Sequence, residues 1–323
     1  MRFRWASLTA AAGAAVLLGL MFGAAASGPG ALVDAWRDPA SPAATILLQL
    51  RLPRVILAFL VGAGLGVSGA VLQALVRNPL ADPYLLGLSG GAGLGAVLAI
   101  ALATPSPWVI PVAAFVGALT AVALVYRLSV VAGRRLDPRI LLLSGVVVGA
   151  FAGALMSTVI VLAPADELRN AFLWLLGGFG AASWQAVVIF VGYGAIPFLV
   201  LLTQSRRLDL LSLGEEPAQF LGADVERTKR IVYLAASLLT AAAVAVSGVI
   251  GFVGLVVPHA VRRLMGTLHA TLLPAVILAS GAFLVIADLL ARTVVAPIDL
   301  PVGVVTALVG VPLFAILLRR SVR

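Results

Sequence analysis

The chain has 323 residues, of which 62% are hydrophobic and 11% charged, with a net charge of +9 and no cysteine. Soluble domains are roughly a quarter charged, so a water-soluble globule is excluded. Disulfides and thiolate metal sites are excluded with it. Apolar runs of about 18 residues or more are long enough to cross a bilayer core of roughly 30 Å as helices, and most of this chain consists of such runs. The expected fold is all-α, a polytopic membrane protein forming a single transmembrane domain over residues 1–323.

Arg2 and Arg4 precede the first apolar run, 6–26, which closes on Ala24-Ala25-Ala26. That order is also the grammar of a secretory signal peptide. The run is longer than a usual signal core, so retention as a first span is expected. Further clear runs are 55–75, 86–103, 108–130, 140–163 and 184–202. The string Gly91-Ala92-Gly93-Leu94-Gly95 lacks the preceding strand of a nucleotide-binding turn; small residues there let membrane helices approach closely. The longest hydrophilic stretch, 204–230, holds two short helical pieces broken at glycines, over residues 210–222. Leu213, Phe220 and Leu221 stand among polar neighbours there, which suits docking on a partner better than a solvated loop.

Segment 231–258 is too long for one span and short for two; Gly248, Gly251, Gly254 and Pro258 interrupt it, so it reads as a tight hairpin or a broken helix. Non-helical backbone at membrane depth is tolerated where protein covers it. Runs 272–295 and 302–318 follow. Counting 231–258 as two short spans gives ten. Arginine and lysine then test the count, since short cytoplasmic loops are enriched in both. With the N-terminus inside, Arg37, Arg51, Arg54, Arg169 and Arg292 are the cations outside, leaving 17 of the 22 inside, Arg134, Arg135 and Arg323 among them. Both termini are therefore expected in the cytoplasm. The net charge follows from topology and gives no reason to expect nucleic acid as a partner.

Among single polar residues, Asp288 is a carboxylate deep within an apolar run, a functional candidate by default. A bland role as the partner of Arg292, one helical turn later, suits it equally well. His259 and His269 fit no metal-ligand spacing, and no metal site is expected. Gln73 and Asn78 are expected to bond neighbouring helices.

Several stretches together resemble the permease family of ABC importers for iron-siderophores, haem and vitamin B12. They are Arg51-Leu52-Pro53-Arg54, the glycine-rich run 62–75, Arg77-Asn78-Pro79-Leu80-Ala81-Asp82-Pro83, Leu213-Gly214-Glu215, Gly251-Phe252-Val253-Gly254, Pro258-His259, Asp288 with Arg292, and Leu300-Pro301-Val302-Gly303. The likeness runs from about Gln49 to Leu318. It implies a ten-span inner-membrane permease acting as a homodimer, with membrane lipid around it and the path between its two copies. Two cytoplasmic ATPase subunits and a periplasmic or extracellular substrate-binding protein would complete the importer. No cofactor is expected on this chain, which lacks a phosphate loop and is not expected to be an enzyme; ATP and Mg would sit on the ATPase.

The resemblance also suggests roles for individual residues. Arg51, Arg54 and Arg292 would meet acidic residues of the binding protein. Leu213, Gly214, Glu215, Glu216, Gln219, Phe220, Leu221 and Gly222 would couple to the ATPase. Asn78 and Leu80 would help form an inner gate, with Pro138 and Arg139 at a second turn. There Asp137-Pro138-Arg139 replaces the small hydroxyl residues of the B12 permease, whereas Gly177-Gly178-Phe179-Gly180 is similar to it. An iron chelate (siderophore or haem) is therefore expected first and cobalamin second. A secondary transporter would need more intramembrane carboxylates than Asp288, and a membrane enzyme would need a ligand or acid–base cluster.

Overall fold

The computed structural model describes residues 1–23, 28–102, 106, 108–133 and 136–321, and no strand occurs among them. In chain order the helices are α1 (Arg2–Met21), α2 (Pro29–Arg37), α3 (Pro42–Thr45), a π-helical turn (Ile46–Arg51) running into α4 (Leu52–Val76), α5 (Leu88–Ala101), α6 (Val109–Gly133), α7 (Pro138–Leu162), α8 (Ala165–Leu175), α9 (Trp184–Thr203), α10 (Ser205–Ser212), α11 (Glu215–Phe220), α12 (Val225–Ser247), α13 (Val253–Met265), α14 (His269–Thr293) and α15 (Val302–Ser321). Seven described helices are long and apolar enough to cross a membrane: α1, the continuous Pro42–Val76, α6, α7, α9, α12 and α14. α5 and α15 are shorter apolar helices among the described residues, and α13 is a partial one, so the ten spans expected from the sequence become seven full-length helices and three short ones. Ala24, Ala25, Ala26, Arg134, Arg135 and Arg323 lie outside the described residues.

The core is organised around α4, which is buried along almost its whole length by α9, α12, α13 and α14. Ser41 starts the approach to it by accepting the Ala44 N–H, with Pro42 in the first turn where no hydrogen bond is lost. Arg77, in the left-handed region at φ 53°, ends it. The glycine string 91–95 packs as expected: a Cβ on Gly91 would run into the Gly117 carbonyl of α6, and one on Gly95 into that of Ala113.

Segment 231–258 is a broken helix, but not two short spans. α12 is full length and begins at Val225, taking the last residues of the hydrophilic stretch 204–230. α13 has 13 residues, about 20 Å at 1.5 Å per residue, and does not cross a bilayer alone. Its first turn lies against Leu65 and Gly69, midway along α4. The intervening backbone is covered by protein: Ile250 is fully buried, the Tyr84 hydroxyl donates to its carbonyl at 3.1 Å and accepts its N–H at 3.2 Å, and the Gly178 N–H donates to Ser247 at 2.8 Å. Pro258 removes the bond that the Gly254 carbonyl would accept within α13; Gln73 Nε2 donates to that carbonyl at 3.2 Å instead.

Candidate functional site

α14 fixes the two ends of the molecule. Its first residue, His269, meets Asp209 of α10, and Arg292 lies in its last turn, with about 35 Å of helix between them.

At the Arg292 end a cluster of charges ties α1, α4 and α14 together. Asp288 is 1% exposed. Arg54 Nε donates to both of its oxygens, at 3.0 and 3.1 Å, and Arg54 Nη1 donates to Asp299 Oδ2 at 2.9 Å. Arg292 Nε lies 3.4 Å from Asp288 Oδ2, and its Nη2 donates to the Gly19 carbonyl. Arg51 Nη1 donates to the carbonyls of Leu20 and Met21, at 3.1 and 3.3 Å. Arg51 and Arg292 thus satisfy the last carbonyls of α1, where a helix has orphan acceptors and a negative dipole end.

This corrects the expectation of three arginines presented to a partner. Arg51 is 6% and Arg292 4% exposed; only Arg54 keeps an edge toward solvent. The pairing of Asp288 with Arg292, left open from sequence, is present, but its closer partner is Arg54. Arg37 and Arg169 are exposed, on α2 and α8, two short helices that the apolar runs gave no sign of. A cavity of about 690 Å³ opens beside Arg54 and Asp299, walled by Trp108, Trp174, Glu167, Asn170 and the 177–180 string.

At the opposite end α10 and α11 are the two helical pieces expected, broken at Gly214, whose φ of 120° favours glycine. Glu215 and Glu216 occupy the first turn of α11, where the helix dipole favours acids. Leu211, Ala218 and Val225 form a small core beneath. Leu213 and Leu221 face outward, and Phe220 is 92% exposed; Gln219 is also exposed, and Gly222, at φ 81°, ends the unit. Asp209 Oδ1 anchors α10 by accepting the His269 N–H at 2.9 Å. The buried Lys229, which in sequence is one more cation of the inside loops, holds Glu215 at 2.7 Å.

Gln73, expected to bond a neighbouring helix, reaches α13. Asn78 does not reach another helix: its Oδ1 accepts the Leu80 N–H at 2.9 Å, closing its own turn. Four residues on, burial pushes the Asp82 carboxyl up to about 6. Pro138 and Arg139 form the first turn of α7, with Asp137 as N-cap accepting the Arg139 N–H at 2.7 Å. His259 Nε2 is buried without a hydrogen-bond partner, and no group of three potential metal ligands occurs among the described residues.

Residues 11–320 match the FecCD transport family. The chain is 47% identical over 284 residues to the cobalamin import system permease BtuC of Halobacterium salinarum, covering 87% of this chain and 75% of that one. It is 42% identical over 282 residues to the hemin transport system permease HmuU of Yersinia pestis, covering 85% and 84%. A solved structure of an inward-facing metal-chelate type ABC transporter superposes with a TM-score of 0.88 at 30% identity, covering 99% of both chains.

Proposed function

The chain belongs to the FecCD transport family, and from that premise we propose that it is the membrane-spanning subunit of a binding-protein-dependent ABC importer that carries an iron chelate, siderophore or haem, across the inner membrane. It is a multi-pass permease of the type II importer class, whose members work with ATPase and binding-protein partners. The single observation that carries the assembly reading is the outward set Leu213, Phe220 and Leu221 on α10 and α11. Apolar side chains held out from a polar, firmly anchored pair of short helices suit a cleft on a partner. On this reading the ATPase pair binds at this end, in the cytoplasm with both termini, and the binding protein at the Arg54 end. The chain acts as a single domain.

A second copy of the chain and membrane lipid cover the apolar sides of α7 and α15, where Val146, Phe151, Leu308 and Val311 are exposed. ATP and Mg belong to the ATPase, and the chain itself performs no catalysis. Iron chelate ranks first because Asp137-Pro138-Arg139 makes a charged, helix-capping turn. Cobalamin is the second reading, favoured by the 177–180 string along the outer cavity. Vesicles holding the permease, its ATPase and its binding protein test this with a ferric siderophore, haemin and cobalamin supplied in parallel. ATP-dependent uptake of either iron chelate is expected; uptake of cobalamin alone would overturn the ranking, and ATP-independent uptake the importer itself.

A further inference from the structure

Lys229 stands in the second turn of α12 with its side chain 3% exposed. An ammonium has three N–H donors, and three acceptors surround this one: Glu215 at 2.7 Å, Glu226 at 3.2 Å and the Leu136 carbonyl at 3.0 Å. The second Glu226 oxygen accepts the Leu136 N–H at 3.2 Å. The backbone of Leu136 is therefore gripped at both its donor and its acceptor. Leu136 immediately precedes Asp137, the N-cap of α7, and Glu215 is the first residue of α11. One buried charge thus joins α11 and α12, neighbours in sequence, to the residue that leads into α7, 93 positions before Lys229.

Two features show what such a junction can transmit. The covalent link from α11 to α12 turns at Gly222, at φ 81°, where Gly222 and Ala223 donate back to Gln219 and Ala218 at 2.9 and 3.0 Å, and the ion pair ties α11 to α12 beside that turn. α7, in turn, is a helix whose apolar side, with Val146, Val147 and Phe151, is uncovered in the single chain. Burying charges is costly, and a whole ion network replaced by apolar side chains is often as stable, so stability alone gives little reason for this network, although removing Lys229 by itself leaves Glu215 and Glu226 without their cation.

We propose that Lys229 is a positioning residue that passes displacement of α11 to the start of α7, linking the partner ATPase to the helix that borders the path. The proposal rests on the docking of α10 and α11 described above. Because the chain has no cysteine, Val147→Cys carrying an environment-sensitive fluorophore reports on α7 alone. The assembled importer in vesicles is given ATP with vanadate, and hydrolysis is measured in parallel without vanadate. Lys229→Met is expected to cut the fluorescence response about tenfold, a size typical of groups sharing one network, with the ATPase still bound and hydrolysing, since Leu213, Phe220 and Leu221 are untouched. Lys229→Arg is expected to restore most of the response.

A full response in Lys229→Met overturns the relay. So does loss of the ATPase from that variant, which would make Lys229 a support of the docking surface. If Lys229→Met fails to fold, Glu226→Gln carries the test: it weakens the grip on Leu136 from a part-exposed position, and an unchanged response overturns the proposal. The docking premise is checked separately with Leu213→Asp and Phe220→Asp. An ATPase that still binds that double variant overturns the premise itself, whatever Lys229 does.

Discussion

At the Arg292 end of α14 charge is turned inward, with Asp288 enclosed by Arg54 and Arg292, and Arg51 spent on the carbonyls of α1. At the His269 end the reverse holds: charges anchor α10 and α11 from behind, and apolar side chains point out. Both ends read from sequence as docking faces. The difference teaches that a cation at a span end and a leucine in a polar loop are unequal signals. The guanidinium has strong intramolecular uses, because helix ends always offer carbonyls and buried carboxylates need partners. An exposed Phe220 has no such use within the chain.

The comparison breaks most visibly at Asp288. Asp288→Ala leaves the buried Arg292 without its carboxylate and Arg54 with Asp299 alone, and breaking a buried pair costs about 3–5 kcal/mol. A drop in thermal unfolding temperature of the purified permease is expected, well beyond that of Asp299→Ala, whose partly exposed side chain is screened by solvent. Equal small drops would mean that the cluster does not hold this end together.

Next in size is the opposite face. Leu213→Asp with Phe220→Asp should cost about 2–4 kcal/mol of partner binding, as for central interface residues, seen as loss of co-purified ATPase and of uptake. The unfolding temperature of the isolated permease should stay put, since neither side chain is buried. A lowered unfolding temperature would show that these residues serve the fold, and the contrast between the two ends would vanish.

Arg54 sharpens the comparison, because it is both internal and partly open. Arg54→Gln is expected to weaken binding-protein docking about tenfold at low salt, measured by surface-immobilised permease, and to lower stability less than Asp288→Ala. Unchanged docking would make the arginine cluster purely structural. The smallest effect is expected from Arg37→Glu with Arg169→Glu. Exposed rim charges are worth about 0.2–1 kcal/mol, so docking should slow modestly and only at low ionic strength. A larger loss than that of Arg54→Gln would move the docking surface outward onto α2 and α8.

Much of this architecture is set locally. The length of the apolar runs fixes helices that cross a membrane, glycine and proline fix the break after Ser247, and the polar stretch around Gly214 specifies two short helices, because each of these depends on neighbours a few residues away. The extents of α12 and α13 were less legible, since Lys229 and its neighbours look like loop residues until packing buries them. What only the tertiary structure decided is which charges meet: Arg54 with Asp288 across 234 positions, Asp209 with His269 across 60, and Lys229 with Glu215 and Leu136. Sequence patterns report what each segment wants from its solvent. Partners for charges are chosen by how helices stack, and a guanidinium at a helix end looks the same in sequence whether it faces lipid headgroups, another protein or a buried carboxylate.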